Sequence, residues 1–127
     1  MNSLASSPKL KGEEVTVPVL TLDELAEKYV HPDFVKIDVE GGEQQVLEGM
    51  SGVLQNSPEI MLEVHGSDDN EVRDRLADHD GDVEKIHDLL TQHGYQIYSI
   101  GTDGTLTEIT DEDSFDMPSH WYATTGQ

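Results

Sequence analysis

Residues 34–64 read FVKIDVEGGEQQVLEGMSGVLQNSPEIMLEV, and this stretch decides the fold. Phe34, Val35, Ile37 and Val39 make 34–39 apolar on both faces apart from Lys36, the pattern of an internal parallel strand. Glu40-Gly41-Gly42-Glu43 is a tight turn into a helix. Val46, Leu47, Met50, Val53 and Leu54 follow at helical spacing, weakened by Gly49 and Gly52. Asn56-Ser57-Pro58 stops the helix, and Glu59–Val64 is a second strand. Strand, helix and strand have the length of a right-handed parallel crossover.

Working outward, Thr21-Leu22-Asp23-Glu24 predicts a capping box, with Thr21 as N-cap and Glu24 three residues on. Leu22, Leu25 and Ala26 line one face of a short helix that ends near Tyr29, because His31 precedes Pro32. Val15, Val17 and Val19 alternate and predict a short edge strand, kept from a sheet centre by Pro18. Residues 1–14 are polar and aperiodic, the expectation for a flexible arm. Beyond the crossover, Val83, Ile86, Leu89 and Leu90 form a helical stripe closed by His93 and Gly94. Tyr95–Ile100 is a third core strand, Leu106 and Ile109 a weak fourth, and His120–Thr125 the last. The fold class is α/β.

The 127 residues suit one domain. The net charge of −20 lies far beyond the roughly 2–8 charges usual for a small domain. It excludes a basic nucleic-acid footprint and a patch for anionic membranes. Without Cys there is no disulfide framework, thiolate zinc site or cysteine nucleophile. No apolar run reaches the roughly 20 residues of a membrane span, and the N-terminus lacks the apolar core of a signal peptide. The expectation is a cytoplasmic protein whose acidic surface suits a salt-accumulating halophile, since molar salt shortens the screening length to about 3 Å.

In an open parallel sheet, ligands bind beyond the carboxyl ends of the strands. Here those ends read Asp38-Val39-Glu40 and Glu63-Val64-His65. Carboxylates there suit a general base or a divalent cation. Equally, Asp38 suits a helix cap with the others solvated. Gly41-Gly42 fits neither a dinucleotide fingerprint nor a phosphate loop and reads as a turn. Asp78, Asp80 and Asp82 open like a calcium loop, but Val83 and Leu89 stand where that loop needs Gly and Glu. Trp121 and Tyr122 read as core.

Thr21-Leu22-Asp23-Glu24-Leu25, the strand Lys36-Ile37-Asp38-Val39-Glu40-Gly41 with Glu43, the helix residues Val46-Leu47 and Gly49, and Glu63 with His65 together resemble the FkbM-type S-adenosylmethionine-dependent methyltransferases. The match is close over residues 15–65. That family has a seven-stranded Rossmann-like sheet of order 3-2-1-4-5-7-6, with a Gly-rich cofactor loop after its first strand. The chain has no such loop, and its first core strand corresponds to strand four. The resemblance therefore implies a partial methyltransferase sheet, strands 4, 5, 6 and 7, within residues 15–127. It implies S-adenosylmethionine-dependent O-methylation of a small molecule or sugar by a chain that is truncated or needs a complementing half. Carried onto this sequence, Asp38 and Glu40 are the catalytic residues, Glu63 and His65 bind the acceptor, and Asp38 and Gly41 face the cofactor, with no metal. The alternative is a non-catalytic remnant that binds a partner. Ile37-Asp38-Val39-Glu40-Gly41 also resembles the Asp-x-Glu strand of DEDD-type exonucleases, but a helix follows it here and no His-x-x-x-x-Asp appears later. With strand one absent, residues 34–39 become an apolar edge, and the expectations are a homodimer through that edge or its coverage by Val15–Val19.

Overall fold

A computed structural model describes residues 12–39, 41–64, 83–110 and 119–126. In chain order the elements are α1 (Leu22–Lys28), β1 (Phe34–Ile37), α2 (Glu43–Glu48), α3 (Ser51–Leu54), β2 (Glu59–Val64), α4 (Val83–Gln92), β3 (Gln96–Ile100), β4 (Leu106–Glu108) and β5 (Ser119–Thr124). The five strands form one sheet of order β1-β2-β5-β3-β4. β1 and β2 are parallel, as a crossover through α2 and α3 requires. β5 runs antiparallel to both of its neighbours, β2 and β3. The fold is thus mixed α/β.

The period-two alternation of the strands sorts their side chains onto two faces. Ile37, Ile60, Leu62, Val64, Ile97, Trp121 and Ala123 point to one face and are buried. They join Ala26, Leu47, Met50, Val53, Leu54, Val83, Ile86 and Leu90 from the helices in one core. Trp121, 1% exposed, lies on the central strand β5 and is the largest fully buried side chain. The other face carries Lys36, Met61, Glu63, His120, Tyr122 and Tyr98, all partly or fully exposed among the described residues.

The local signals act as read at several places. Thr21 accepts the Glu24 N–H at 3.1 Å, and Glu24 reaches back to the Thr21 N–H, completing the capping box. Tyr29 closes α1 through its N–H to the Leu25 carbonyl. Gly94 takes φ 86° after α4, a conformation that suits glycine. The His93 ring, its Nδ1 2.9 Å from the Leu89 carbonyl oxygen, shares in that helix end.

Two expectations are corrected. Residues 12–20 are exposed and contain no strand, so Val15–Val19 is not the edge strand expected. The helix expected over 43–54 is two pieces with a break at Gly49-Met50. Gly49 packs close to the start of α1: a Cβ there would meet the Thr21 side chain at 3.0 Å. The second piece is capped from outside, because the Asp23 carboxylate of α1 accepts the N–H groups of Gly52 and Val53, both at 2.9 Å. The apolar pattern alone suggests an internal β1 and the resemblance implies an edge; among the described residues β1 stands at the edge of the sheet. Its strand neighbour among the described residues is β2, and Phe34 is 50% exposed.

Candidate active site

The parallel pair sets the carboxyl ends of β1 and β2 on one rim, and the register fixes which side chains meet there. Ile37 pairs with Leu62, so the same register one step further sets Asp38 beside Glu63. Glu63 pairs with His120 across the antiparallel β2–β5 ladder. Directly paired residues share a face. Glu63 and His120 therefore share the face opposite the core, and Asp38 follows directly on Ile37 at the end of β1. His120 Nε2 lies 3.7 Å from Glu63 Oε2, with the imidazole half exposed and the carboxylate less so. A carboxylate beside a second carboxylate gains from a cation next to it, and His120 supplies one when protonated.

The turn after β1 holds the remaining groups. Gly41 has φ 105°, where an L side chain is strained. The Gly42 N–H donates to the Val39 carbonyl at 3.3 Å, tightening the turn into α2. Gly41 and Gly42 are buried, so the backbone rather than a side chain packs at this point. Glu43, the first residue of α2, is fully buried, an unusual place for a carboxylate. Asp38 itself is exposed. Glu40 and His65 lie outside the described residues, as does the acidic run Asp78-His79-Asp80-Gly81-Asp82.

The structure sets His120, which sequence reasoning missed, beside Glu63, with Asp38 directly after the end of the neighbouring strand β1. The signal for His120 is positional: only the insertion of the last strand beside β2 sets it opposite Glu63. Glu43 was seen as part of a motif, but its burial was not legible from spacing. Among the described residues, no group of three or more His, Asp or Glu side chains is arranged to hold a metal ion. None of the helices among them is long and apolar enough to cross a membrane.

Beside β1 runs an open groove of about 450 Å³. Leu20, Leu22 and Leu25 form one wall and Val35, Ile37 and Val39 the other, and Asp38 and Lys36 supply its charge. Elsewhere, Tyr95 donates its hydroxyl to the Pro58 carbonyl at 2.5 Å and ties the start of β3 to the start of β2. Burial pushes the Tyr95 hydroxyl up to about 12. Tyr122 donates to Glu59, and that bond raises the phenol above its ordinary value.

Residues 2–97 match the family described as the methyltransferase FkbM domain. The chain belongs to the FkbM methyltransferase family. It is also similar to the hexuronic acid methyltransferase AglP of Haloferax volcanii, with 37% identity over 67 residues. That alignment takes in 50% of this chain and 28% of the relative, so the chain spans under a third of the length of the curated relative it matches. No solved structure matches it.

Proposed function

We propose that this FkbM-family chain carries the acceptor side of an S-adenosylmethionine-dependent O-methyltransferase, acting on an oxygen of a sugar or similar small molecule. The observation that carries this reading is the Glu63–His120 pair near the carboxyl end of β2, with Asp38 directly after the end of the parallel strand β1. Asp38 takes the proton from the acceptor hydroxyl, with Glu40 flanking it. Glu63, His65 and His120 bind the acceptor's other polar groups. Two carboxylates side by side favour a neutral hydroxyl over an anionic one, except where salt screens them. AglP is a hexuronic acid methyltransferase, which supports a sugar or sugar acid as the acceptor class. The −20 charge, with that Haloferax relative, supports a chain adapted to concentrated salt.

We assign β1, β2, β3 and β5 to strands 4, 5, 6 and 7 of the methyltransferase sheet. Their order β1-β2-β5-β3, with the last strand antiparallel between its neighbours, supports that numbering. The described residues do not fit the cofactor on their own. The groove beside β1 is walled by aliphatic side chains, with Lys36 and Asp38 as its charged groups. A ribose diol, an amino acid head and an adenine need several donors and acceptors. Gly41, whose φ keeps the turn close and free of a side chain, is the contact we assign to the cofactor's edge.

A chimera tests the function. The stretch of this chain that aligns with AglP replaces the corresponding part of AglP, and labelled methyl transfer is measured with neutral hexose and hexuronic acid acceptors. Transfer that depends on Asp38 is the expected result. A folded, cofactor-binding chimera that transfers nothing to either acceptor overturns the reading. The second reading, a partner-binding module, is favoured by one observation, the exposure of Phe34 on β1, which has β2 as its strand neighbour among the described residues.

A further inference from the structure

The β2–β5 ladder sets His120 directly opposite Glu63, and the ring is turned so that Nε2 faces the carboxylate, 3.7 Å from Oε2. A carboxylate beside one imidazole nitrogen holds the proton on that nitrogen. Nε2 is therefore protonated in both charge states of the ring, and the state is decided at Nδ1. A neutral ring has a lone pair at Nδ1 and accepts a hydrogen bond there. A protonated ring donates from Nδ1 and shares its positive charge with that N–H, which suits a carboxylate. The strands around the ring bring no other cation. β2, β3 and β5 contain neither Lys nor Arg. On β2 the facing ionisable group is Glu63; on β3 the titratable residue is Tyr98; on β5 the next residue on the same face is Tyr122. Beyond β2, β1 brings Lys36, which pairs with Met61, and Asp38 follows its end.

We propose that His120 is the specificity-determining residue of the acceptor site: it takes a neutral sugar in either charge state and a sugar acid only when its ring is protonated. The proposal rests on the acceptor reading given above and assigns the acceptor's carboxylate, where it has one, to Nδ1–H of His120. A hydroxyl is both donor and acceptor, so it bonds Nδ1 as a lone pair or as an N–H. A carboxylate only accepts, so it meets a second lone pair at the neutral ring and an N–H at the protonated one. Charge acts in the same direction. The Glu63–His120 pair is net negative while the ring is neutral, and the whole chain carries −20, so a sugar acid is repelled. Protonation cancels the charge of the pair and supplies the missing donor in one step. Glu63 stays on Nε2 throughout, so the ring does not turn between the two states. An imidazole is the side chain that makes this change between about pH 5 and 8.

The experiment is an NMR titration of the 127-residue chain, folded by circular dichroism in the buffer used. The probes are methyl glucoside and the matching methyl glucuronoside, which carries a carboxylate in place of the primary alcohol. Binding is measured at about pH 5.5 and about pH 8, towards either end of the imidazole range. The glucoside is expected to bind equally at both. The glucuronoside is expected to bind about tenfold more tightly at the lower pH, through the charge-assisted bond gained at Nδ1. By reciprocity it raises the midpoint of the His120 ring titration by about one pH unit, whereas the glucoside leaves the midpoint in place. His120→Gln keeps a donor and an acceptor without the charge. It is expected to remove the pH dependence for the glucuronoside and to leave glucoside binding. Equal glucuronoside binding at both pH values overturns the proposal, as does a pH dependence that survives His120→Gln or a ring midpoint that the glucuronoside does not move. Glucoside binding in those cases leaves the acceptor reading standing. If neither sugar shifts the resonances of β2 and β5, the acceptor reading fails and the proposal fails with it.

Discussion

The two edges of the sheet are built on opposite rules. β4, at one edge, is three residues long, reads Leu-Thr-Glu and is fully exposed. It is folded back on β3 by a turn in which Gly104 has φ 86° and the Asp103 carboxylate accepts the Thr105 N–H at 2.9 Å. A short, polar, turn-tethered strand is how a natural sheet ends in water. β1, at the other edge, is apolar, flanked by exposed Leu20, Leu25 and Phe34, and leads to the ionisable rim. The difference teaches that one edge is a finished surface and the other a working one. β4 is the last strand of the sheet among the described residues. β1 leads to the residues of the proposed chemistry.

The largest effect expected from breaking this asymmetry is catalytic. In the AglP chimera, Asp38→Asn keeps the side chain's size and removes its charge. Loss of a general base costs about 10²–10⁴-fold in rate. Glu108→Gln at the other edge is expected to leave turnover unchanged. If Asp38→Asn unfolds the protein while activity per folded molecule persists, Asp38 is a cap and the β1 rim loses its chemical role.

The next effect is on stability. Ile37 is 3% exposed, at the end of β1, whereas Leu106 on β4 is 49% exposed. Truncating a buried Ile to Ala costs about 2–5 kcal/mol, transfer and cavity together. Leu106→Ala is expected to fall within about 0.5 kcal/mol, as for surface substitutions. Urea unfolding measures both. Equal losses would mean that the β4 edge is packed as firmly as β1 and would end the contrast.

This asymmetry was only partly legible in the sequence. Local signals carried far: the crossover, the capping box at Thr21 and the glycine after α4 rest on residues adjacent in the chain. The motif around Asp38 carried the family. Information that depends on pairing between distant strands was not legible. The apolar run 34–39 reads as internal by its composition alone, and only the family resemblance implied that it stands at an edge. His120 looks like one more histidine until β5 pairs with β2. Asp23 sits within a capping box and was read as part of it, yet its carboxylate caps a different helix, 29 and 30 residues on. Val15, Val17 and Val19 alternate as a strand does, but alternation without a partner ladder forms none. Glu40 and His65 were inferred from motif alone and lie outside the described residues.

Asp23→Ala has the third largest effect. It leaves Gly52 and Val53 without their acceptor and unties α1 from α3 beneath the β1 edge. Loss of a cap costs about 1 kcal/mol, within a range of roughly 0.5–2. Differential scanning calorimetry at neutral pH is expected to show a lowered Tm. An unchanged Tm would mean that α1 is held by its apolar contacts and that the cap adds nothing to the working edge.

The smallest effect separates the two aspartates that serve the two edges. Burial acts to raise the Asp23 pKa, but the N–H groups of Gly52 and Val53, the Ser51 hydroxyl and the nearby His31 outweigh it and hold the carboxyl below its ordinary 3.8. The Asp103 carboxyl is also lowered, first by the Thr105 side chain and then by the Thr105 N–H. A carboxyl whose folded value is depressed contributes stability above its unfolded value and loses it as pH falls through the folded one. Both should therefore titrate below 3.8, and the amide shifts of Gly52 and Val53 report the first as that of Thr105 reports the second. Their consequences differ. Asp23 joins two helices, so its protonation lowers Tm in acid, and Asp23→Asn removes that part of the acid loss. Asp103 is wholly exposed and its turn is local, so its protonation shifts the Thr105 amide without moving Tm. If Asp103→Asn alters the acid limb of the melting curve as much as Asp23→Asn does, the turn at β4 is bound into the cooperative unit. The two edges would then differ in composition but not in construction.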